Sequence, residues 1–216
     1  MLSYWRNPSQ GHIRHAKVLV FALALLPLLR LVLGAVAFPE WLGVNPAEFI
    51  TRSTGDWALR ILLLTLAVTP LRRLSGWNWL LRFRRMLGLF AFFYAIVHFS
   101  SFISFDHVFD VDAIIKDIVK RPFITVGFVS LVLMLPLALT STNAMVKRVG
   151  AKRWLALHRL IYLIAPLAVL HFWWMVKRDI TEPVIYALIL AVLLGLRLAW
   201  YVRARPRHGE AKPVRL

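Results

Sequence analysis

The sequence predicts an all-α fold: a polytopic membrane protein built as a six-transmembrane-helix bundle with both termini cytoplasmic. Three observations carry this. Of the 216 residues, 60% are hydrophobic, and the mean hydropathy of +0.68 is too high for one soluble domain. The apolar residues gather in six blocks close to the roughly 20 residues that cross a hydrocarbon core of about 30 Å. Basic residues crowd into alternate loops, as the positive-inside rule requires of a chain with an even number of spans.

The blocks run approximately 18–37, 57–71, 86–105, 122–140, 154–174 and 183–202, and 203–216 form a basic tail, so that 1–216 read as a single membrane domain. Ala35-Val36-Ala37 resembles a signal-peptidase site, but the preceding run is nearer 20 residues than the usual 7–15. It is expected to stay as the first span. The loop after it contains NPAEFITRSTGDWAL, residues 45–59. Asn45-Pro46 is a turn signal, and Ser53 and Asp56 have capping-box spacing at the mouth of the short second block, which can extend upstream through Thr51–Asp56. Between the third and fourth blocks, VFDVDAIIKDIV at 108–119 alternates apolar residues with Asp110, Asp112, Lys116 and Asp117. This suits a short amphipathic helix on the outer surface, with docking of an outer partner as the second reading. No internal repeat or low-complexity linker is visible.

The formal charge is +17, a value that in a soluble protein would suggest nucleic acid. Its distribution argues otherwise. Arg6, Arg14 and Lys17, then Arg72, Arg73, Arg82, Arg84 and Arg85, then Lys147, Arg148, Lys152 and Arg153, then Arg203, Arg205, Arg207, Lys212 and Arg215 hold 17 of the 27 Lys and Arg. The intervening loops carry Glu40, Glu48 and Asp56, then Asp106, Asp110, Asp112 and Asp117, then Asp179 and Glu182. The charge sets topology and puts these acidic or balanced loops outside. There is no cysteine, which excludes disulfides, iron–sulfur ligation and covalent c-type haem attachment.

Four of the seven histidines, His12, His15, His107 and His208, fall in polar ends or loops. His98, His158 and His171 lie inside spans, where a polar group is costly and points to function. The third span runs outward from Met86, so His98 is about 12 residues in; His171 is in the outer half of the outward-running fifth span. The two can face each other at one level, the geometry of an axial pair for a haem held in a bundle. Phe90, Phe92, Phe93, Tyr94, Phe99, Phe102, Phe172 and Trp173 offer flat apolar walls nearby, although such residues also pack against lipid. His158 lies 13 residues before His171, about 20 Å lower and about 140° away on a straight helix. Pro166 stands between them and can bend the helix. The residue 14 before His98 is Arg84, which stays protonated and is no ordinary ligand. One outer bis-histidine haem is therefore expected, while a second, inner site would hold His158 and a partner left open. Arg30 and Arg60, in the outer halves of the first two spans, are candidates for the outer haem's propionates. Arg84, Arg85 and Arg159, clustered near His158, are candidates for inner propionates or a flavin phosphate. Each of these arginines also reads as an interfacial anchor.

NPAEFITRSTGDWAL, RRMLGLFAFFYAIVH and the WLALHRLIYLI…H pattern together resemble the MsrQ family, formerly YedZ, of haem-binding membrane subunits, within the six-span ferric-reductase-like superfamily. The resemblance covers nearly the whole chain. It implies an inner-membrane b-type cytochrome that also binds FMN. Electrons would come from the quinone pool or a cytoplasmic flavin reductase and pass to MsrP, a periplasmic molybdopterin enzyme that reduces methionine sulfoxide in oxidised proteins. The family's interhelical haem ligands fall on His98 and His171, and a further implicated histidine on His158. No familiar nucleotide motif marks a flavin pocket.

Two other functions fit less well. A self-sufficient quinone or ferric reductase cytochrome would use the same haem. A proton-coupled transporter with a histidine relay would call for deep carboxylates and repeated, broken helices, neither of which the sequence offers.

Overall fold

The computed structural model describes residues 8–176 and 178–204, and these are helical with no strand among them. Arg6, His208 and the tail beyond Ala204 lie outside the described residues. Six helical segments are long and apolar enough to cross a membrane. In chain order they are α1 (Gln10–Val36), α2 (Pro46–Ser75), α3 (Leu81–Ser101), α5 (Pro122–Leu139), α7 (Ala151–Leu157) continuing into α8 (Ile161–Met175), and α9 (Thr181–Arg203). The short helices α4 (Val111–Lys120) and α6 (Asn143–Val149) lie in the connections. Helices dominate because hydrocarbon offers no partner for backbone N–H and C=O groups, which must bond within their own segment.

All six predicted blocks are helices, but the second is much longer than its apolar run. It begins at Pro46, so Ser53 and Asp56 are interior residues rather than a cap. The cap is Asn45, whose Oδ1 accepts from Glu48 N at 3.2 Å while its Nδ2 donates to the Glu48 carboxylate at 3.1 Å. Asn-Pro-x-Glu thus supplies both the N-cap and a proline at N1. Two polar turns extend the helix beyond what hydropathy marks.

The core joins Leu59, Ile61, Leu62, Leu63 and Leu66 of α2 to Phe90, Ala91 and Tyr94 of α3, with Ile161, Ile164, Ala165 and Val169 of the fifth span and Leu190 and Leu193 of α9 packed against them. α1 is tied to this core by Tyr94, which is fully buried. Its hydroxyl donates to Ala24 O at 2.7 Å and accepts from Leu28 N at 3.2 Å. These backbone groups flank the turn containing Pro27, where the helix ladder is already weakened. Tyr94→Phe is expected to destabilise the bundle by about 1–3 kcal/mol, the cost of stranding a buried polar group. Thermal unfolding in detergent would measure it, and an unchanged melting temperature would show that α1 is held otherwise.

A second proline is compensated across helices. Pro70 of α2 leaves Leu66 O without its usual donor, and the Arg197 guanidinium of α9 donates to that oxygen. α9 itself starts beside Asp179, whose carboxyl accepts from Thr181 and is held below the usual carboxylate range by those hydrogen bonds.

The connections fall at the two ends of the bundle. Gly76 to Leu80 and Thr140 to Gly150 lie at an arginine- and lysine-rich end, called here the basic end. Phe38–Asn45, His107–Arg121 and Arg178–Ile180 lie at the opposite end, which holds Glu40, Asp110, Asp112, Asp117 and Asp179 alongside basic residues and is called here the acidic end. At the acidic end α4 is amphipathic, as expected for 108–119. Asp110 caps it by accepting from Ala113 N at 3.0 Å, Ile114 is buried, and Val111, Ile115 and Val119 form an exposed apolar stripe one turn apart. The turn before it puts Val108 at φ 47° and Phe109 at φ 64°, left-handed backbone that is costly for a β-branched or aromatic residue.

Candidate functional site

α3 carries His98 and α8 carries His171 to one level near the acidic end, where the ring centroids stand 6.1 Å apart with planes at 67°. The depth arithmetic therefore holds. Each ring is also tethered from behind, by a different helix. His98 Nδ1 lies 2.9 Å from Thr51 O of α2, and His171 Nδ1 lies 2.7 Å from Phe123 O of α5. A carbonyl only accepts, so Nδ1 carries the hydrogen in both rings. In the neutral imidazole this leaves the lone pair on Nε2.

Close packing makes these contacts. A Cβ built on Gly55 would stand 3.1 Å from His98 Cε1 and Nδ1, and one on Gly127 would stand 2.7 Å from His171 Nδ1. Only glycine lets α2 and α5 come so near. Among the described residues no group of three or more His, Asp or Glu is arranged to hold a metal ion. The donor set is a facing pair, which suits a planar macrocycle that already fills the other positions of its iron. Two metal–nitrogen bonds of about 2 Å each fit the separation of the rings. His98 and His171 fit an axial haem pair in donor chemistry and in spacing.

Other residues expected around this pair make contacts of their own. Phe90 makes an edge contact with Phe21 of α1 at 5.1 Å, and Tyr94 bonds to α1, so both face the first span. Phe99 packs on Phe102 and Phe128, and Phe172 on Tyr186. Arg60 does not stand free: its Nε donates to Tyr186 OH at 2.8 Å, its guanidinium lies 3.7 Å from Asp56 and it covers the Trp57 ring. That clamp joins α2 to α9 a short way from Gly55. Arg30 is exposed and lies over Phe49 at 5.6 Å.

The second site lies toward the basic end. A cavity of about 280 Å³ is lined by Arg84, Arg85, Thr65, Ser141, Trp154 and His158 among apolar side chains from α2, α3 and α5. His158, Arg84 and Arg85 meet as expected. Arg159 does not join them; it is exposed and outside the lining. Adjacent helical residues point about 100° or more apart, and a 3₁₀ turn at His158–Leu160 interrupts the fifth span here. A 3₁₀ turn winds about 20° more per residue than an α-helix, so straight-helix phase does not carry over from His171 to His158.

His158 is held unlike the other two. Its ring stacks on Trp154 at 3.9 Å, and its Nε2 lies 3.1 Å from Thr140 Oγ1. That hydroxyl gives its own hydrogen to Pro136 O at 2.7 Å, so Nε2–H of His158 is the donor. The Trp154 Nε1–H donates to Thr140 O at 2.9 Å. Here Nε2 is engaged, in contrast to the acidic-end pair.

Sequence reasoning named the three histidines and the arginines Arg84 and Arg85 that the structure gathers beside His158, but not the tethers. Thr51 O and Phe123 O are backbone atoms that leave no mark in the residue letters. Gly55 and Gly127 were the available signal: each follows its carbonyl by four residues.

Residues 54–169 match the family model described as ferric reductase like transmembrane component. That range contains His98 and His158 and stops two residues short of His171. Three relatives bear the name protein-methionine-sulfoxide reductase heme-binding subunit MsrQ. The protein of Herminiimonas arsenicoxydans is 57% identical, over 94% of this chain and 93% of its own length. That of Ralstonia nicotianae is 54% identical over 94% and 95%, and that of Polaromonas naphthalenivorans 50% identical over 99% of both. No solved structure matches.

Proposed function

The chain belongs to the MsrQ family, within the ferric-reductase-like transmembrane proteins, and from that premise we propose that it is the b-type cytochrome through which a periplasmic methionine sulfoxide reductase receives electrons. It is a multi-pass, haem-binding membrane subunit of such a system. Proposed beyond that are an inner-membrane location with both termini cytoplasmic, a catalytic partner of the MsrP type, and entry of electrons from the quinone pool or a cytoplasmic flavin reductase.

The observation that carries the reading is the His98–His171 pair, facing across two helices with both Nδ1 atoms given to backbone carbonyls. A haem bound between them would supply reversible one-electron transfer. The residues supply the rest. Thr51 and Phe123 orient the rings and raise their basicity as ligands. The helices around them keep the site dry. Near the basic end, Arg84 and Arg85 offer positive charge to an anionic group, a second haem or FMN, with His158 beside it. Electron tunnelling weakens steeply with distance, so the pair nearer the acidic end is the exit.

A proton relay has less support. The pair is hydrogen-bonded to carbonyls, which carry no proton onward, and Asp56 is engaged with Arg60. A self-sufficient quinone or ferric reductase would need no partner surface. At the acidic end Asp110 caps α4 and Asp117 lies between His107 at 3.3 Å and Arg121 at 3.2 Å. Exposed Asp112 and the apolar stripe of α4 are left to meet a partner or the lipid headgroups.

Two measurements test the reading. The purified protein, expressed with ample haem, should show a low-spin b-type spectrum on reduction with dithionite, with haem and flavin quantified in the same sample. Absence of any haem band would sink it. The chain lacks cysteine, so single cysteines introduced as Asp112→Cys and Arg148→Cys can be labelled without background. Position 112 should react from the periplasmic face and 148 from the cytoplasmic face; the reverse pattern would reject the outward route.

A further inference from the structure

Two helices that contribute no metal-ligating side chain each present one backbone carbonyl to one histidine, and each does so in the same way. Thr51 O is followed four residues later by Gly55, and Phe123 O by Gly127. A helical carbonyl has two lone pairs, one of which is used by the N–H four residues on. The side chain at that same position lies over the second lone pair, which is why Ser and Thr bond back to it. Without a Cβ there, the second lone pair is open to a neighbouring helix.

We infer that Gly55 and Gly127 are positioning residues for the histidine pair: their missing side chains open Thr51 O and Phe123 O to the two imidazoles and so decide which nitrogen of each ring faces the other. The inference rests on the reading of His98 and His171 as haem ligands. Around Thr51 O the arrangement is further pinned by Thr54, whose buried hydroxyl lies 2.9 Å from the same oxygen and 2.8 Å from Ile50 O. If either carbonyl were covered, its imidazole would have to rotate or lose its Nδ1 partner. Nε2 would then no longer be both directed and enriched in electron density toward a metal.

The distances order the consequences. A Cβ at Gly127 would lie 2.7 Å from Nδ1 and 2.8 Å from Cε1 of His171, whereas one at Gly55 would lie 3.1 Å from His98. At Gly88 the nearest atom would be Thr65 Cγ2 at 3.7 Å, and at Gly195 nothing lies within 4 Å. Alanine is the better helix former in every case, so damage at 55 or 127 cannot arise from helix propensity.

The test uses the haem-loaded, full-length protein in detergent, read by absorption and electron paramagnetic resonance spectra and by the midpoint potential. Gly127→Ala should convert low-spin to high-spin signal and lower haem affinity by about 10–100-fold, as loss of an outer-shell partner does. Gly55→Ala should keep low-spin haem but raise the midpoint potential, because a less basic imidazole stabilises ferric iron less. Gly195→Ala should match the unaltered protein. If Gly55→Ala and Gly127→Ala also match it, the inference is overturned. Should Gly127→Ala fail to insert, pulsed resonance on the unaltered protein in D₂O decides. An exchangeable deuteron on the remote nitrogen of both axial imidazoles is required, and its absence rejects the inference. The underlying ligand reading fails separately, if His98→Ala and His171→Ala keep the low-spin spectrum.

Discussion

Replacing His98 or His171 by alanine is expected to abolish the low-spin haem signal of the acidic-end site. Each imidazole is held by a backbone carbonyl at 2.9 Å or 2.7 Å, and no other His, Asp or Glu is grouped with the pair among the described residues. There is thus no substitute ligand to swing in. A single remaining histidine would leave one axial position empty and convert the iron to high spin. The loss of affinity should exceed the roughly 10–100-fold that removal of an outer-shell partner costs, and delivery of electrons to the catalytic subunit should fall with it. The bundle should still insert, because the core residues of α2, α3, α8 and α9 are untouched. His107→Ala, near Asp117 in the acidic-end connection, is the matched control and should keep the full spectrum. Wild-type low-spin haem in both His98→Ala and His171→Ala would remove the basis of the proposed function.

What could be read in the sequence, and what could not, follows from which groups the membrane constrains. Hydropathy located all six spans because an apolar segment in lipid has no choice but to satisfy its own backbone. It misplaced the start of α2, since Glu48, Thr51, Arg52, Ser53 and Asp56 look like loop; the informative residues were Asn45, Pro46 and Glu48, which form a cap. His98 and His171 were legible from depth alone, because helix rise converts residue number to height. The phase of His158 was not, because a 3₁₀ turn begins at that residue and nothing in its composition marks it. Arg60 was rightly recognised as costly in its span. Its partner Tyr186 is 126 residues away, a pairing that only the packing of α2 on α9 reveals. The carbonyl tethers lie furthest from the sequence, for backbone oxygens are present at every position.

The basic-end cavity should control how electrons enter, and its charges should matter more than its shape. Arg84 and Arg85 line a space of about 280 Å³ that is otherwise mostly apolar. A charge-assisted hydrogen bond contributes about 1.5–3 kcal/mol. Arg84→Gln, which keeps length and polarity but removes charge, should therefore weaken an anionic occupant by about 10–150-fold. Arg85 is partly engaged, donating to Asn143 Oδ1 at 2.6 Å, so Arg85→Gln should cost less. His158→Ala would act differently. It removes the ring stacked on Trp154 and the donor to Thr140, loosening the join between α5 and the fifth span as well as the cavity wall. With Nε2–H given to Thr140 the His158 lone pair is on Nδ1, so Thr140→Val should loosen the ring without removing a ligand nitrogen and leave haem content unchanged. Stopped-flow reduction by a quinol, and separately by reduced flavin, would measure entry in all four variants. The expected result is slower reduction in Arg84→Gln and His158→Ala while the His98–His171 spectrum stays intact. Unchanged entry rates with both donors would place the entry site elsewhere and leave the arginines as anchors of the basic end.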